Sequence, residues 1–378
     1  MGTNNNNSWL AVVFAGQGAQ KPGMGFDLYE SSVAARTVFD RAGDEIKHDC
    51  FESDAEHLKQ TEVTQPAVYT MDMACLAALK EATADTLLWQ PEMAVATTTT
   101  TTTTTAAASA GGREGFHPTN DICCAGFSLG EYAALTAAGV IGSFEEGLAL
   151  VRKRSLLMKA AGTNSDGSPR GAMAAGMGTA EAVLALVEQT RGSDILEAVN
   201  FNSPGQTVVA GDIVAVERFV AAAKENRSLG VKAIPLPVSG AFHSPIMASA
   251  AEGLAAVLSA HTFSAPHHRV YLNVTGEDIE AFRRSVTKAL PVSTSGIDTI
   301  SYDAAWKEVM IRQMQSPVQW QRTVEQMEAD GVRVLIEVGP GKTLSGLVKK
   351  ITSAIEVCHV EDAESLAAAA EFVKENSL

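Results

Sequence analysis

The chain has 378 residues, a length that suggests two or three domain-sized units. Hydrophobic residues make up 46% of it, enough to build a large core, so a chain that is disordered throughout is excluded. The 44 acidic residues outnumber the 29 basic ones and give a net charge of −15, so we expect no general affinity for nucleic acid phosphates. No apolar run of about 18 residues occurs, so we expect no membrane span.

The N-terminus and the cysteines bear on the compartment. The first basic residue is Lys21, so the N-terminal segment has the pattern of neither a signal peptide nor an arginine-rich transit peptide. The five cysteines are odd in number and show no C-x-x-C spacing. They favour a reducing, intracellular compartment over secretion.

In chain order, the first predicted element is a β-strand at residues 10–14, which the loop 16–20 follows. Helical patterns come next, at residues 33–46 and 67–81. Residues 97–105 are nine threonines in a row, and an alanine- and glycine-rich stretch continues them to residue 112. Because this segment has neither helical nor alternating apolar periodicity, we expect a mobile surface insertion.

The second half alternates strands and helices. A short apolar strand at residues 121–125 precedes a helix-prone stretch at 128–138, and residues 162–171 have the composition of a linker. A β-α-β-β-α-β order follows and predicts a small inserted ferredoxin-like domain. Residues 291–299 are a second candidate insertion, and 332–337 are predicted as a last buried strand. This alternation indicates an α/β protein. The six segments of the inserted unit are residues 172–177, 180–190, 197–201, 207–211, 213–226 and 231–235.

Residues 126–130 read Gly-Phe-Ser-Leu-Gly, a G-x-S-x-G pattern between a predicted strand and a predicted helix. Small residues around Ser128 permit a sharp turn that presents its hydroxyl group at a helix N-terminus, as in enzymes with a nucleophilic serine. Ser128 and Glu131 also form S-x-x-E, a capping box that needs no catalysis. The pentapeptide alone gives the two interpretations about equal weight.

A nucleophilic serine needs a base, and His243 is the best placed of the eight histidines. It lies in a tight turn with apolar neighbours, Ser-Gly-Ala-Phe-His-Ser-Pro at residues 239–245. A purely structural hydrogen bond remains the alternative for any single histidine. No spacing of histidines, cysteines and carboxylates is typical of a metal site, so we expect no zinc.

Arg154 is predicted to lie on the apolar face of a helix. At about 100° per residue, Leu150 and Leu157 flank it on one side, and Val151 and Met158 on the other. A buried guanidinium is unfavourable unless it is paired. Its partner is either a protein carboxylate or an anionic substrate, and its planar fork suits a carboxylate bound at two points.

Together these segments resemble the malonyl-CoA:acyl-carrier-protein transacylase family, which includes the acyltransferase domains of fatty acid and polyketide synthesis. The resemblance covers about residues 10–351 and implies an α/β-hydrolase-like core with a ferredoxin-like insert. We expect the core at residues 9–165 and 239–378, interrupted by the insertion at 97–112, and the ferredoxin-like unit at 166–238. The matching motifs are residues 14–20 (FAGQGAQ), 64–66 (TQP), 126–132 (GFSLGEY), Arg154 with Met158, 200–206 (NFNSPGQ), 240–245 (GAFHSP), 316–320 (SPVQW) and 338–342 (VGPGK).

The resemblance assigns roles to matching positions. Ser128 is the expected nucleophile and His243 its general base, without a carboxylate as third member. The backbone carbonyl of Gln319 is expected to orient the imidazole, and the backbone N–H groups of Gln17 and Leu129 to form the oxyanion hole. The resemblance also implies three substrate-binding residues. Arg154 would hold the malonyl carboxylate, and the sequence around Phe242 resembles that of malonyl-selective members. Gln319 is the third.

The implied activity is malonyl transfer from malonyl-CoA to the phosphopantetheine thiol of acyl carrier protein through a malonyl-serine, for fatty acid synthesis. No metal or redox cofactor is expected, and the enzyme is expected to be a monomer.

Phe127 replaces the histidine of most bacterial members and resembles the mitochondrial branch, so a mitochondrial location is expected, with the cytoplasm as alternative. Two other functions stay open: an α/β-hydrolase such as a thioesterase, and a non-catalytic scaffold that binds carrier protein.

Overall fold

The computed structural model describes residues 9–84, 122–226, 228, 230–238, 240–289 and 299–376. The threonine-rich segment 97–112 lies outside the described residues, as does all of the stretch 291–299 except Thr299. Within the described part, no helix is both long and apolar enough to cross a membrane. The same part holds no group of three or more histidine, cysteine or acidic side chains that could bind a metal ion.

A five-stranded parallel sheet forms the centre of the molecule, in the order β7-β2-β1-β8-β9. At its centre the final residue of β1, Phe14, is paired with Gly126 of β2 and with Val338 of β8. The segments that follow these three strands therefore leave the sheet at one edge, where open α/β sheets bind their ligands. The strands are β1 (Trp9–Phe14), β2 (Ile122–Gly126), β7 (Arg269–Val270), β8 (Val332–Val338) and β9 (Glu356–Val360).

Helices cover both faces of this sheet, which confirms an α/β fold. Alternate residues of β1 point to opposite faces: Leu10 belongs to one buried cluster, with α4 and α6, and Ala11 to another, with α12 and α13. The helices outside the small sheet are α1 (Phe26–Ser31), α2 (Val33–Ala42), α3 (Asp44–Phe51), α4 (Thr61–Ala82), α5 (Gly130–Ala137), α6 (Phe144–Ala161), α9 (Ala248–Leu258), α10 (Ile279–Ala289), α11 (Tyr302–Gln313), α12 (Trp320–Ala329), α13 (Thr343–Ile351) and α14 (Ala363–Glu375).

A second, four-stranded antiparallel sheet has the order β4-β5-β3-β6. Its apolar face packs on two helices in a separate cluster that contains Val183, Leu186 and Phe219. The backbone N–H of Phe201 donates to the carbonyl of Val318 (2.9 Å) and links this sheet to the segment before α12. The elements are β3 (Ala172–Met177), α7 (Ala180–Thr190), β4 (Leu196–Ser203), β5 (Gln206–Gly211), α8 (Ile213–Glu225) and β6 (Lys232–Pro235).

Two of the predictions about individual elements are wrong. The helix expected over residues 33–46 is two helices, because Gly43 adopts a φ of 95° between α2 and α3 and ends the first. The strand at residues 332–337 is not the last, since β9 follows it at the sheet edge. β9 was missed because it is short and its side chains are only partly buried, so it lacks a clear apolar alternation.

Candidate active site

Ser128 lies in the sharp turn between β2 and α5 and has a left-handed backbone conformation (φ 52°). The two flanking glycines make this turn possible. A Cβ atom on Gly126 would lie 2.0 Å from the backbone of Gly130, and one on Gly130 would lie 2.2 Å from the carbonyl oxygen of Phe14. No side chain fits at either position, so the G-x-S-x-G spacing is a requirement of close backbone approach.

The Ser128 side chain does not cap helix α5, so the capping-box interpretation is wrong. No side-chain hydrogen bond caps this helix, and the N–H of Glu131 donates to the backbone carbonyl of Ser128, not to its hydroxyl. The Oγ atom instead lies 2.7 Å from Nε2 of His243. The left-handed turn aims the hydroxyl away from the helix and towards the imidazole.

His243 is buried and also has a left-handed backbone (φ 62°). Its Nδ1 lies 2.8 Å from the carbonyl oxygen of Gln313. Because a carbonyl can only accept, Nδ1 carries the proton and the lone pair of Nε2 faces the Ser128 hydroxyl. Burial, together with the nearby charge of Arg154, lowers the pKa of His243 to about 4. The imidazole is therefore neutral at pH 7 and able to accept a proton.

The expectation that Gln319 orients this imidazole is wrong. The carbonyl of Gln319 instead accepts hydrogen bonds from the N–H (2.9 Å) and hydroxyl (3.1 Å) of Thr323, because Gln319 begins α12. The carbonyl that meets His243 belongs to Gln313, the last residue of α11. Carbonyl groups in the last turn of a helix have no partner within the helix, so this one is available to the histidine.

Arg154 is fully buried on α6, as the helical spacing predicts, and its partners are neutral oxygen atoms. One terminal nitrogen donates to Oε1 of Gln65 (2.7 Å), and the other to Oγ of Ser128 (3.1 Å) and Oε1 of Gln313 (3.0 Å). Its Nε has no hydrogen-bond partner among the described residues, and its guanidinium lies 5.3 Å from the centre of the Tyr132 ring. No carboxylate of the described residues forms an ion pair with it. Among the described residues, a protein carboxylate is therefore not the direct partner of Arg154.

Gln17 and Leu129 lie on adjacent loops at the edge of the sheet. The loop after β1 packs against the Ser128 turn so closely that a Cβ on Gly16 would lie 2.5 Å from the carbonyl oxygen of Phe127. Within the described residues, neither the Gln17 nor the Leu129 backbone N–H donates a hydrogen bond. The Gln17 side chain is held by Thr61 (3.3 Å) and Gln65 (3.4 Å). These two backbone donors, which have no acceptor in the described ranges, thus lie on the two loops that meet at the serine.

Phe242 precedes His243 in the chain and is buried within the large core cluster. A Cβ on Gly240 would lie 2.9 Å from its ring, which explains why a glycine stands two residues before it. Phe242 is thus a buried neighbour of the base in the chain, and its role in malonyl selectivity remains an expectation from the family resemblance.

Asn273 also holds the Ser128 turn and was missed by the sequence analysis. Its Oδ1 accepts the N–H of Ser128 (2.6 Å), and its Nδ2 donates to the carbonyl of Gly126 (2.6 Å). Asn273 follows β7 at the same sheet edge, but β7 has only two residues and gives no strand pattern in the sequence. Three further side chains hold the site, those of Gln65, Glu131 and Gln313. Gln65 and Glu131 lie within motifs named above, whereas Gln313 lies in none of them.

Glu131, from the same motif as Ser128, is completely buried in the first turn of α5. Its carboxylate accepts the N–H of Asn273 (2.8 Å) and the side-chain amide of Gln313 (2.5 Å). Burial raises the pKa of Glu131 to about 7, while these hydrogen bonds and the charge of Arg154 act in the opposite direction. Both carboxylate oxygens accept N–H groups, a pattern that suits the ionised form.

Sequence comparison places this chain among known proteins. It matches the model of the acyl transferase domain over residues 11–88 and 89–376. It is 34% identical over 376 residues to the malonyl CoA-acyl carrier protein transacylase of Bacillus subtilis (strain 168), a match that covers 98% of this chain and 99% of that protein. It is 35% identical over 369 residues to the protein of the same name from Escherichia coli (strain K12), covering 96% and 99%.

Solved structures of similar proteins agree with this placement. The malonyl CoA-acyl carrier protein transacylase of Clostridium perfringens is 32% identical and superposes with a TM-score of 0.75 over 97% of this chain and 98% of that one. A malonyl-transacylase solved in complex with its type II polyketide acyl-carrier protein is 31% identical, with a TM-score of 0.74 over 97% and 100%. The chain therefore belongs to the malonyl-CoA:acyl-carrier-protein transacylase family of acyl transferase domains.

Proposed function

We propose that this protein transfers a malonyl group from malonyl-CoA to the phosphopantetheine thiol of acyl carrier protein, supplying the extender units of fatty acid synthesis. The observation that carries the proposal is the contact between Arg154 and the nucleophile, with a guanidinium nitrogen 3.1 Å from Oγ of Ser128. A buried cation that has no ion-pair partner within the described part of the chain suits an acyl group that brings its own carboxylate.

The first half of the reaction uses Ser128 and His243. The neutral imidazole takes the hydroxyl proton at Nε2 while Oγ attacks the thioester carbonyl carbon of malonyl-CoA. The N–H groups of Gln17 and Leu129 would stabilise the tetrahedral oxyanion. When the carbon–sulfur bond breaks, the imidazolium returns its proton to the CoA thiolate, which leaves a malonyl ester on Ser128.

The second half reverses these proton movements with a new thiol. His243 accepts the proton of the phosphopantetheine thiol, and the sulfur attacks the malonyl-serine carbonyl. The carbon–oxygen bond to Ser128 then breaks, and Oγ recovers its proton from the imidazolium. Each proton moves among Ser128, His243 and the two thiols, so the residues of the site would perform the exchange without a metal or redox cofactor.

Arg154 would select the acyl group. During binding, its terminal nitrogens would exchange neutral acceptors such as the Ser128 hydroxyl for the two oxygens of the malonyl carboxylate. Because the guanidinium is completely buried, such a pair would be shielded from water and strongly favoured over an uncharged acyl group.

The two other functions have less support. Enzymes of the α/β-hydrolase type place an acidic side chain on the far nitrogen of the histidine, whereas Nδ1 of His243 meets the backbone carbonyl of Gln313. A non-catalytic scaffold would not need a serine hydroxyl 2.7 Å from a histidine whose pKa is lowered to about 4.

We also propose the domain division stated above, with an α/β-hydrolase-like core at residues 9–165 and 239–378 and a ferredoxin-like unit at 166–238. The β-α-β-β-α-β order and the strand order β4-β5-β3-β6 support the smaller unit, because a ferredoxin-like sheet places its first and third strands at the centre. The parallel sheet, with the serine in the turn after β2, supports the larger unit.

The intact mass of the protein after mixing with malonyl-CoA tests the proposal. We expect a stable malonyl adduct on the wild type, its discharge when holo acyl carrier protein is added, and no adduct on Ser128→Ala. The matched control is Ser143→Ala, which removes a serine that caps helix α6 and should leave the adduct unchanged. Rapid release of free malonate without transfer would indicate a hydrolase, and the lack of any adduct would indicate a scaffold.

A further inference from the structure

Among the described residues, Glu131 has no hydrogen bond to Ser128 Oγ or to the guanidinium of Arg154, yet Asn273 and Gln313 join it to both residues. One carboxylate oxygen accepts the backbone N–H of Asn273, whose own side chain holds the Ser128 turn. The other accepts the side-chain amide of Gln313, whose carbonyl oxygen Oε1 accepts Arg154. A carboxylate placed this way can determine how both neighbours are oriented.

The amide of Gln313 is fully hydrogen-bonded in one orientation. Its Nε2 donates to Oε2 of Glu131 (2.5 Å) and to the backbone carbonyl of Ser128 (2.9 Å), while Oε1 faces a terminal nitrogen of Arg154 (3.0 Å). If the amide were rotated by 180°, Oε1 would face two acceptors and the NH₂ group would face a cation. Glu131 supplies one of the two acceptors that exclude this alternative.

We propose that Glu131 is a positioning residue for malonyl capture: through the Gln313 amide, it holds the guanidinium of Arg154 in the orientation that receives the malonyl carboxylate. This inference rests on the proposed function, because it concerns how that site selects its acyl group. It assigns Glu131 a role in acyl selection, beyond the one it shares with Asn273 in the Ser128 turn.

The isosteric change Glu131→Gln separates these roles. Glutamine keeps the volume but replaces one acceptor oxygen by an NH₂ donor, and both neighbours of this position are donors. If the new amide keeps its oxygen on the N–H of Asn273, its NH₂ faces the amide of Gln313 and favours the rotated orientation. Arg154 then loses a hydrogen-bond acceptor, but the backbone carbonyl of Gln313 still holds His243.

The readout is the ratio of kcat/KM for malonyl-CoA to kcat/KM for acetyl-CoA, since acetyl transfer needs the serine and histidine but no carboxylate partner. We expect Glu131→Gln to lower this ratio about 10-fold, the effect of losing one hydrogen bond to a charged group. Gln313→Met, which keeps the backbone carbonyl but removes the amide, should lower it to a similar extent. Glu146→Gln is the matched control, because Glu146 also accepts a backbone N–H and lies in the first turn of a helix without contacting the site.

The double variant gives the decisive comparison. If Glu131 acts through Gln313, then Glu131→Gln should change the ratio less than 2-fold in the Gln313→Met background. Equal effects in both backgrounds would overturn the inference, as would an unchanged ratio in Glu131→Gln. If Glu131→Gln does not fold, an unchanged ratio in Gln313→Met alone would overturn it.

The wild type separates failure of the proposed function from failure of this inference. Absence of malonyl transfer by the wild type overturns the proposed function. Normal transfer by the wild type, with an unchanged ratio in Glu131→Gln, overturns only the role of Glu131.

Discussion

Ser128 and His243 are the two non-glycine residues of the described chain with a left-handed backbone, and their side chains meet at 2.7 Å. A left-handed conformation costs an ordinary residue about 1–2 kcal/mol, because its Cβ approaches the neighbouring carbonyl. In this protein the cost falls on the two residues that the proposed chemistry needs, which are the donor and the acceptor of one hydrogen bond. The surrounding structure, which includes Asn273 and Gln313, must hold both turns in place.

The first prediction concerns the backbone strain at Ser128. Ser128→Gly and Ser128→Ala both lose the hydroxyl, but only glycine adopts a φ near 52° without strain. After allowance for the greater freedom of glycine in the unfolded chain, we expect the glycine variant to be more stable by about 0.5–1 kcal/mol. Thermal unfolding followed by circular dichroism measures the difference, and neither variant should form a malonyl adduct. A glycine variant that melts at or below the temperature of the alanine variant would show that no strain is stored at this turn.

The second prediction concerns pH. His243 must be neutral to accept the serine proton, and burial, assisted by Arg154, lowers its pKa from 6.5 to about 4. Activity should therefore persist below pH 6 and fall as the pH drops through about 4. We expect the acid limb of kcat/KM for acetyl-CoA, which reports the free enzyme, to have an apparent pKa near 4.

Arg154→Met provides the comparison for this pH profile. It removes the neighbouring positive charge but keeps an apolar side chain, so the acid limb should move to higher pH and remain below 6.5 because burial persists. Acetyl-CoA is the suitable substrate, since malonyl-CoA has a carboxylate that titrates itself. An acid limb at the same pH in both proteins would contradict the electrostatic influence of Arg154 on His243.

Local patterns in the sequence singled out Ser128, His243 and Arg154, which the structure brings together, because the local geometry of each depends largely on its own segment. The G-x-S-x-G glycines are required by contacts within one turn and with β1, and the burial of Arg154 follows from the spacing on a single helix. The order of the six elements in the small unit was also predicted, because the helices and the buried strands among them have apolar periodicity.

The residues that orient the site could not be found in this way. Gln313 is 185 residues from Ser128 in the chain and 70 from His243, and nothing in its own segment distinguishes it from other glutamines. The choice of Gln319 failed for the same reason: which carbonyl meets the imidazole depends on where α11 ends and how it packs. Glu131 was visible as part of S-x-x-E, but the local pattern indicated a helix cap, whereas the folded chain uses its carboxylate to hold distant residues.

The third prediction is that Arg154 selects the acyl group by pairing with its free carboxylate. In the resting enzyme, the guanidinium is bound by Gln65, Gln313 and the nucleophile itself, and all three are neutral acceptors. Removal of one member of a buried, hydrogen-bonded charge pair typically costs about 2–5 kcal/mol. Arg154→Ala should therefore reduce kcat/KM for malonyl-CoA by about 30-fold to several thousand-fold.

Acetyl-CoA distinguishes this selective role from a structural one. It has no carboxylate, and the alanine variant has a wider, uncharged pocket, so its transfer should be unchanged or faster and the preference between the two substrates should narrow or invert. Arg154→Lys should restore malonyl transfer only in part, because an ammonium group cannot bind Gln65, Gln313 and a carboxylate in one plane. Circular dichroism checks that both variants fold. If folded Arg154→Ala loses malonyl and acetyl transfer in equal proportion, Arg154 supports the architecture of the site and does not choose the substrate.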